Sequence, residues 1–375
     1  MSKKGRVLVA MSGGIDSTAA AMMLHDEGYE VVGITMKTWD YANSGGSKKE
    51  TGCCSLDSIN DARAVAVKMG FHHFIVDIRE EFGDYVIDNF VEEYLAGRTP
   101  NPCVLCNTHI KWSALLKRAD ALDCEFIATG HYAIINEQND RKFISKSADL
   151  KKDQSYVLWG LTQECLNRTR FPLGEMQKPA VRAYVFEAGY EEFSKKSESY
   201  EICFVPDNDY RGFLKRRVPE LQNQVRGGNF VNNKGEVIGT HEGYPFYTIG
   251  QRKGLGKAFG QPMFVTQILP DSNTVVLGEM EELMRNGMSV GKINLQKYAH
   301  LPLEGMEAVT HIRYNDPGAL SFIKNHAFTP KGINEGAISV EFFANVKGVA
   351  PGQSAVFYDG DDVIGGGIIM GSFLN

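Results

Sequence analysis

Three cysteines and one glycine-rich hexad hold the side chains of this sequence best equipped for chemistry. Cys103 and Cys106 form a C-x-x-C pair in RTPNPCVLCNTHIKW, residues 98–112, and Cys203 lies in YEICFVPD, residues 200–207. Such a pair can be a redox dithiol, a pair of metal ligands, or a nucleophile with a neighbour. A zinc site would need a second pair at matching spacing, and the adjacent Cys53 and Cys54 fit that poorly. Pro100 and Pro102 keep the first half of the segment extended, and the spacing predicts a helix from about Asn107. That puts Cys106 near a helix N-terminus, where the dipole lowers a thiol pKa. Cys124 and Cys165 read as packing residues.

The hexad is SGGIDS, Ser12 to Ser17, between the apolar run RVLVAM and a helix-like run. Successive backbone N–H groups in such a turn form an anion-binding nest, and the helix dipole adds to it. Gly13 and Gly14 let the backbone approach a phosphate, Ser12 and Ser17 can donate to its oxygens, and Asp16 can hold a bridging Mg²⁺. No G-x-x-x-x-G-K-[ST] is present, so the lysine of a Walker loop is missing, and the motif is not G-x-G-x-x-G either. The hexad resembles the PP-loop of ATP pyrophosphatases, which cleave between the α- and β-phosphates. The plainer alternative is a strand–helix turn capped by Asp16 and Ser17.

These residues need elements to place them. Strands are expected at 6–11, 30–36, 71–78 and 125–130, and helices at 17–25, 57–69, 82–96 and 108–122, with Asp57 or Ser58 as an N-cap. The alternation implies an α/β fold with a doubly wound parallel sheet. Three strand tips, at Ser12, Met36 and Gly130-His131, would share its carboxyl edge, where such folds bind ligands. Adenine would rest against Met36 and the ribose near Gly130. After about residue 205 short alternating runs such as FVTQIL, AVTHIRY, ISVEFF and SAVFY signal antiparallel β-structure. The expected organisation is a first domain at 1–205, a small connecting domain at 206–280 and a β-barrel-like domain at 281–375.

Composition narrows the class. No apolar run reaches the length of a membrane span, and the N-terminal apolar stretch is too short for a signal-peptide core. Seven cysteines without such a signal argue for reduced thiols and a cytoplasmic protein. Residues 211–260 carry nine Lys/Arg (Arg211, Lys215, Arg216, Arg217, Arg226, Lys234, Arg252, Lys253, Lys257) against three Glu, on a chain of net charge −6. A basic stretch on an acidic chain suits a polyanion partner, although a solvated charged face reads the same way.

SGGIDS, AGRTPNPCVLCN, ATGHY, KDQSY, EICFV and GQRKGLG, in this order over essentially the whole chain, resemble the tRNA-specific 2-thiouridylase family. The resemblance implies a PP-loop (HUP-like) domain and an enzyme that uses ATP with Mg²⁺ to adenylate the wobble uridine of tRNA. A persulfide sulfur then replaces the activated oxygen. It implies that Cys203 carries the persulfide and that Cys106 is the second catalytic cysteine. The thiolate of Cys106 would attack Cys203 and leave a Cys106–Cys203 disulfide. Ala10, Met11, Ser12, Gly13, Gly14, Ile15, Asp16, Ser17, Met36 and Gly130 match the ATP site. Asn101, Pro102 and Cys103 match the segment facing the target base, and His131, Lys152, Asp153, Gln154, Arg313, Tyr314 and Gln353 match tRNA contacts. A sulfur-donating protein, a cysteine desulfurase or a relay carrier, is the implied partner; a monomer is the default. Position 103 departs from the family, where many members carry an acid/base Asp; Cys103 is therefore an auxiliary candidate. It also makes Cys103, Cys106 and Cys203 three candidate ligands of an iron–sulfur cluster.

Two other function classes share parts of the pattern. A small-molecule PP-loop ligase or amidotransferase would keep SGGIDS but needs neither the distant cysteines nor the basic stretch. A non-catalytic RNA-binding protein would need no intact hexad.

Overall fold

The computed structural model describes residues 4–39, 55–195, 202–205, 207–325 and 336–374; Cys53 and Cys54 lie outside them. The chain divides into two compact units, residues 1–86, 103–209 and 361–363, and residues 87–102, 210–360 and 364–375.

The first unit is built on β1 (Arg6–Ala10), β2 (Glu30–Lys37), β3 (His72–Asp77), β4 (Phe126–Ala128) and β7 (Thr169–Arg170), with a hairpin of β5 (Ile134–Gln138) and β6 (Arg141–Ser145) before β7. The five sheet strands lie in the order β3-β2-β1-β4-β7 and every pair is parallel. β1 is central, which is why Val7, Leu8 and Val9 are fully buried. Each such side chain contributes about 1.5–3 kcal/mol over an exposed one. Helix α1 (Ile15–Asp26) buries Ala19, Ala20, Ala21 and Leu24 around its circumference; it is a core helix without a polar face. It packs with Val7, Val9, Val181 and Val185 in one cluster.

Two expectations are corrected here. Helix α2 (Leu56–Met69) is capped by Ser55, whose hydroxyl accepts from the Ser58 N–H at 3.1 Å, not by Asp57 or Ser58. The cysteine helix starts at Pro102, not near Asn107: residues 102–121 form one helical run with a π segment at Cys106–Lys111. Proline suits a first helical position because its missing N–H has no partner there anyway. Cys103, rather than Cys106, therefore occupies the first turn.

In the second unit, β8 (Gly228–Val231), β9 (Val237–His241), β10 (Phe264–Leu269) and β11 (Thr274–Gly278) form a sheet in the order β10-β11-β8-β9. The β11–β8 pair is parallel, against the purely antiparallel expectation. Strands β12 (Met284–Leu295), β13 (Met306–His311), β14 (Ala319–Asn325), β15 (Ile338–Lys347), β16 (Ser354–Asp359) and β17 (Asp362–Phe373) follow in the order β12-β15-β14-β13-β16-β17. β12 pairs with β17 and closes a six-stranded barrel around Met288, Val290, Ile323, Val340, Phe357 and Ile369. Closure removes the open edges that such a sheet would otherwise present.

Candidate active site

The hexad forms the turn between β1 and α1. The Ser12 N–H donates to Ser17 Oγ at 3.1 Å, the two hydroxyls are 3.3 Å apart, and Ser17 Oγ donates to the Gly14 carbonyl at 3.1 Å. Gly13 has φ +71°, and a Cβ there would stand 2.1 Å from the Ser58 carbonyl oxygen, so this position needs glycine on two counts. A Cβ on Gly130, just past β4, would meet the Asp16 carbonyl carbon at 2.6 Å and the Ser17 nitrogen at 2.7 Å. The β4 tip thus closes directly on the start of α1. Met36 lies at the end of β2, partly exposed. The structure therefore gathers Ser12, Gly13, Gly14, Asp16, Ser17 and Gly130, as the sequence suggested. Below the turn, Thr35 Oγ1 donates to the Met11 carbonyl at 2.7 Å and lies 2.8 Å from His73 Nε2. Burial pushes the His73 pKa down, so that ring supports the turn as a neutral group.

Asp16 has partners that sequence reasoning did not reach. Lys178 donates to both of its oxygens, at 2.6 and 2.7 Å, and the Tyr132 hydroxyl donates to Oδ1 at 2.7 Å. Lys178 begins the helix Lys178–Glu187, and its N–H donates to Asp149 Oδ2 at 2.9 Å. In this arrangement both Asp16 oxygens are engaged by Lys178. Nothing local in the sequence marks a pair 162 residues apart.

The KDQSY segment turns inward. Asp153 accepts from the Ser147 N–H and the Ser155 hydroxyl, and burial pushes its pKa up despite them. Gln154 Oε1 accepts from the Tyr132 N–H at 3.0 Å, so Gln154 steadies the residue that holds Asp16. Lys152 is half-buried. His131 pairs through Nδ1 with Thr129 Oγ1 at 2.7 Å, and its ring lies 5.6 Å from Trp112 and 6.0 Å from Phe171. Burial, with Lys111 acting the same way, pushes its pKa down to about 3; it is neutral in ordinary conditions and offers phosphate no charge.

Cys103, Cys106, Cys124, Cys165 and Cys203 are all thiols. Cys124 is buried with its pKa pushed up to about 11, which fits a packing role. Cys106 is buried and Cys203 exposed. Cys203 sits in a turn closed by the Val205 N–H on the Ile202 carbonyl at 2.8 Å. That turn is anchored by buried Phe204 against Phe82 (5.8 Å) and Trp39 (6.3 Å). The short helix Arg79–Phe82 also packs against the Cys106–Lys111 segment. Both catalytic candidates thus flank one helix. Cys103 touches solvent yet is crowded by protein, and that desolvation raises its thiol pKa against the pull of Lys111. A thiol so held is a poor nucleophile. Among the described residues no three His, Cys, Asp or Glu side chains are grouped to hold a metal.

In the second unit, Gln353 Nε2 donates to the Thr99 and Pro100 carbonyls at 3.2 and 2.9 Å, and the Thr99 N–H donates to the Pro351 carbonyl at 2.8 Å. These bonds pin the segment that leads to Asn101 and Pro102. Arg313 donates to the Lys347 carbonyl at 2.9 Å, and Tyr314 is exposed. Of the basic stretch, Lys215 and Arg217 are in ion pairs with Glu242 and Asp88, while Arg252, Lys253 and Lys257 are exposed in the glycine-rich loop.

Three family models cover these regions: "tRNA methyl transferase HUP domain" at residues 5–207, "tRNA methyl transferase PRC-barrel domain" at 211–279 and "Aminomethyltransferase beta-barrel domain" at 325–369. The chain is 63% identical over 372 residues to the tRNA-specific 2-thiouridylase MnmA of Amoebophilus asiaticus, covering 99% of this chain and 96% of that one. The protein of that name from Cytophaga hutchinsonii is 63% identical over 373 residues, with 100% and 99% covered. That of Salinibacter ruber is 56% identical over 372 residues, with 98% and 95% covered. The chain belongs to the tRNA-specific 2-thiouridylase family. The glycine turn lies in the chain's HUP-type first domain, which is followed by a PRC-barrel domain and a closed barrel. No helix among the described residues is long and apolar enough to cross a membrane.

Proposed function

We propose that this chain is an ATP-dependent tRNA-uridine 2-sulfurtransferase acting on the wobble uridine. The observation that carries the reading is a preformed PP-loop in the same unit as Cys106 and Cys203, which flank one short helix. The 2-thiouridylase relatives, matched end to end, support it.

The loop N–H groups and the α1 N-terminus hold the phosphates of ATP, with adenine against Met36 and Mg²⁺ arriving on the nucleotide. Asp16 would take that ion only by exchanging Lys178. The uridine O2 attacks the α-phosphorus and pyrophosphate leaves, which converts a poor leaving group into AMP. The terminal sulfur of a persulfide on Cys203, loaded by a sulfur-donating protein, attacks C2 and AMP departs. The Cys106 thiolate then attacks Cys203 Sγ, which leaves a Cys106–Cys203 disulfide and 2-thiouridine. A dithiol reductant resets the disulfide with two electrons. The base must leave its stack to reach such a site.

Arg252, Lys253 and Lys257 bind the tRNA backbone, and Asn101 and Pro102 face the target base, beside a segment braced by Gln353. The working organisation is a catalytic domain at 1–205, a connecting tRNA-binding domain at 206–280 and a barrel domain at 281–375, in a cytoplasmic monomer. Purified chain, tRNA, ATP and a persulfide donor, followed by nucleoside mass spectrometry, test this. 2-Thiouridine is expected; its absence with an active donor would end the reading.

A further inference from the structure

Resting on the nucleotide reading of the loop, we propose that Lys178 is the phosphate-binding cation that SGGIDS itself lacks, and that it contacts the β- and γ-phosphates of ATP by moving from Asp16. The only charged side chain of the hexad is an aspartate, which alone would repel a triphosphate. The nest and the helix dipole supply partial charges, not a full one. Lys178 supplies it from outside the motif. Its side chain is only 7% exposed and its ammonium lies 2.6 Å from the Asp16 carboxylate at the mouth of the turn.

The placement is built rather than incidental. The backbone of Lys178 is fixed by Asp149 Oδ2, and Pro179 follows it in the first turn of its helix. That helix contributes Val181 and Val185 to the core packed with α1, so the lysine is referenced to the loop through rigid packing. Tyr132 hydrogen-bonds the same carboxylate and keeps Asp16 partnered while the ammonium swings away. The long stem of lysine permits such a swing without backbone movement. Asp16, with its side chain 32% exposed, faces solvent enough for a ligand to reach the pair. The ligand class expected of this lysine is a nucleoside triphosphate or pyrophosphate, not a monophosphate.

The alternative is an ion pair that only ties the lysine helix to α1. Calorimetry on the full chain with ATP, AMP and inorganic pyrophosphate separates the two. Lys178→Gln is expected to weaken ATP and pyrophosphate by at least about tenfold and AMP by less than about twofold, with Lys178→Arg recovering most of the ATP affinity. Parallel loss of ATP and AMP, or no loss of either, overturns the assignment. If Lys178→Gln does not fold, Asp16→Asn with Lys178→Gln removes both charges and carries the same comparison. A wild-type chain that binds no ATP sinks the nucleotide reading, whereas wild-type binding that Lys178→Gln leaves intact sinks only Lys178.

Discussion

Residues 11–17 and the two segments bearing Cys106 and Cys203 lie in one unit but are held in different ways. The loop is fixed from every side: Ser12 and Ser17 bond each other, Gly130 seals against Asp16, and Lys178 and Tyr132 engage its carboxylate. The cysteines sit in less symmetric surroundings. Cys106 is buried in a π segment of a long helix, and Cys203 rides an exposed turn fastened by Phe204. Activation of a base demands preorganised charge, which a rigid loop provides. Sulfur relay demands that one thiol meet a donor protein, a substrate and a second thiol in succession, which favours an exposed carrier. The loop is therefore the rigid part, and of the two cysteines Cys203 is the accessible one.

If the halves are separable, the largest effect falls on sulfur alone. Cys106→Ser and Cys203→Ser should each lower 2-thiouridine formation by at least about a thousandfold, while calorimetric ATP affinity stays within about twofold. A loss of ATP binding in either would break the comparison. Next, Gly13→Ala forces both a positive φ and a clash with Ser58, and should cost about 3 kcal/mol in denaturant unfolding, with ATP binding lost alongside.

The His131 pKa near 3, against 6.5 ordinarily, gives a pH signature. The folded state takes up fewer protons than the unfolded one in that window. Its contribution is fully present above about pH 6.5 and declines as pH falls, by about 2 kcal/mol at pH 5. Unfolding curves of His131→Asn should lack that slope. Arg252→Ala with Lys253→Ala should weaken tRNA binding about tenfold and flatten its salt dependence, leaving ATP affinity unchanged. The smallest effect is expected at position 103: with its thiol pKa raised, Cys103→Ser should retain sulfur transfer within about twofold.

Much of this site was legible because it is local. SGGIDS and ATGHY sit at strand and helix ends that period and punctuation reveal. Three things were not. Strand β7 has two residues, too few for any periodicity. Pro102 was read as keeping the chain extended, whereas it opens the helix, which moved the start past Cys103. Lys178 stands far from the loop in sequence, and only the tertiary packing of its helix against α1 brings the charges together. Asp153 and Gln154 show the converse: the resemblance alone implied RNA contacts there, and nothing in the sequence signalled that their side chains hold Ser147, Ser155 and Tyr132 in place.

The central claim is that activation and sulfur transfer are two steps served by two sets of residues. Its most direct test follows pyrophosphate and 2-thiouridine in the same single-turnover sample, with tRNA, ATP and a persulfide donor. The wild type should give one pyrophosphate per thiolated uridine, and Cys203→Ser should release pyrophosphate with no thiolated product. Thiolated product from Cys203→Ser, or pyrophosphate release by the wild type without tRNA, would contradict the account.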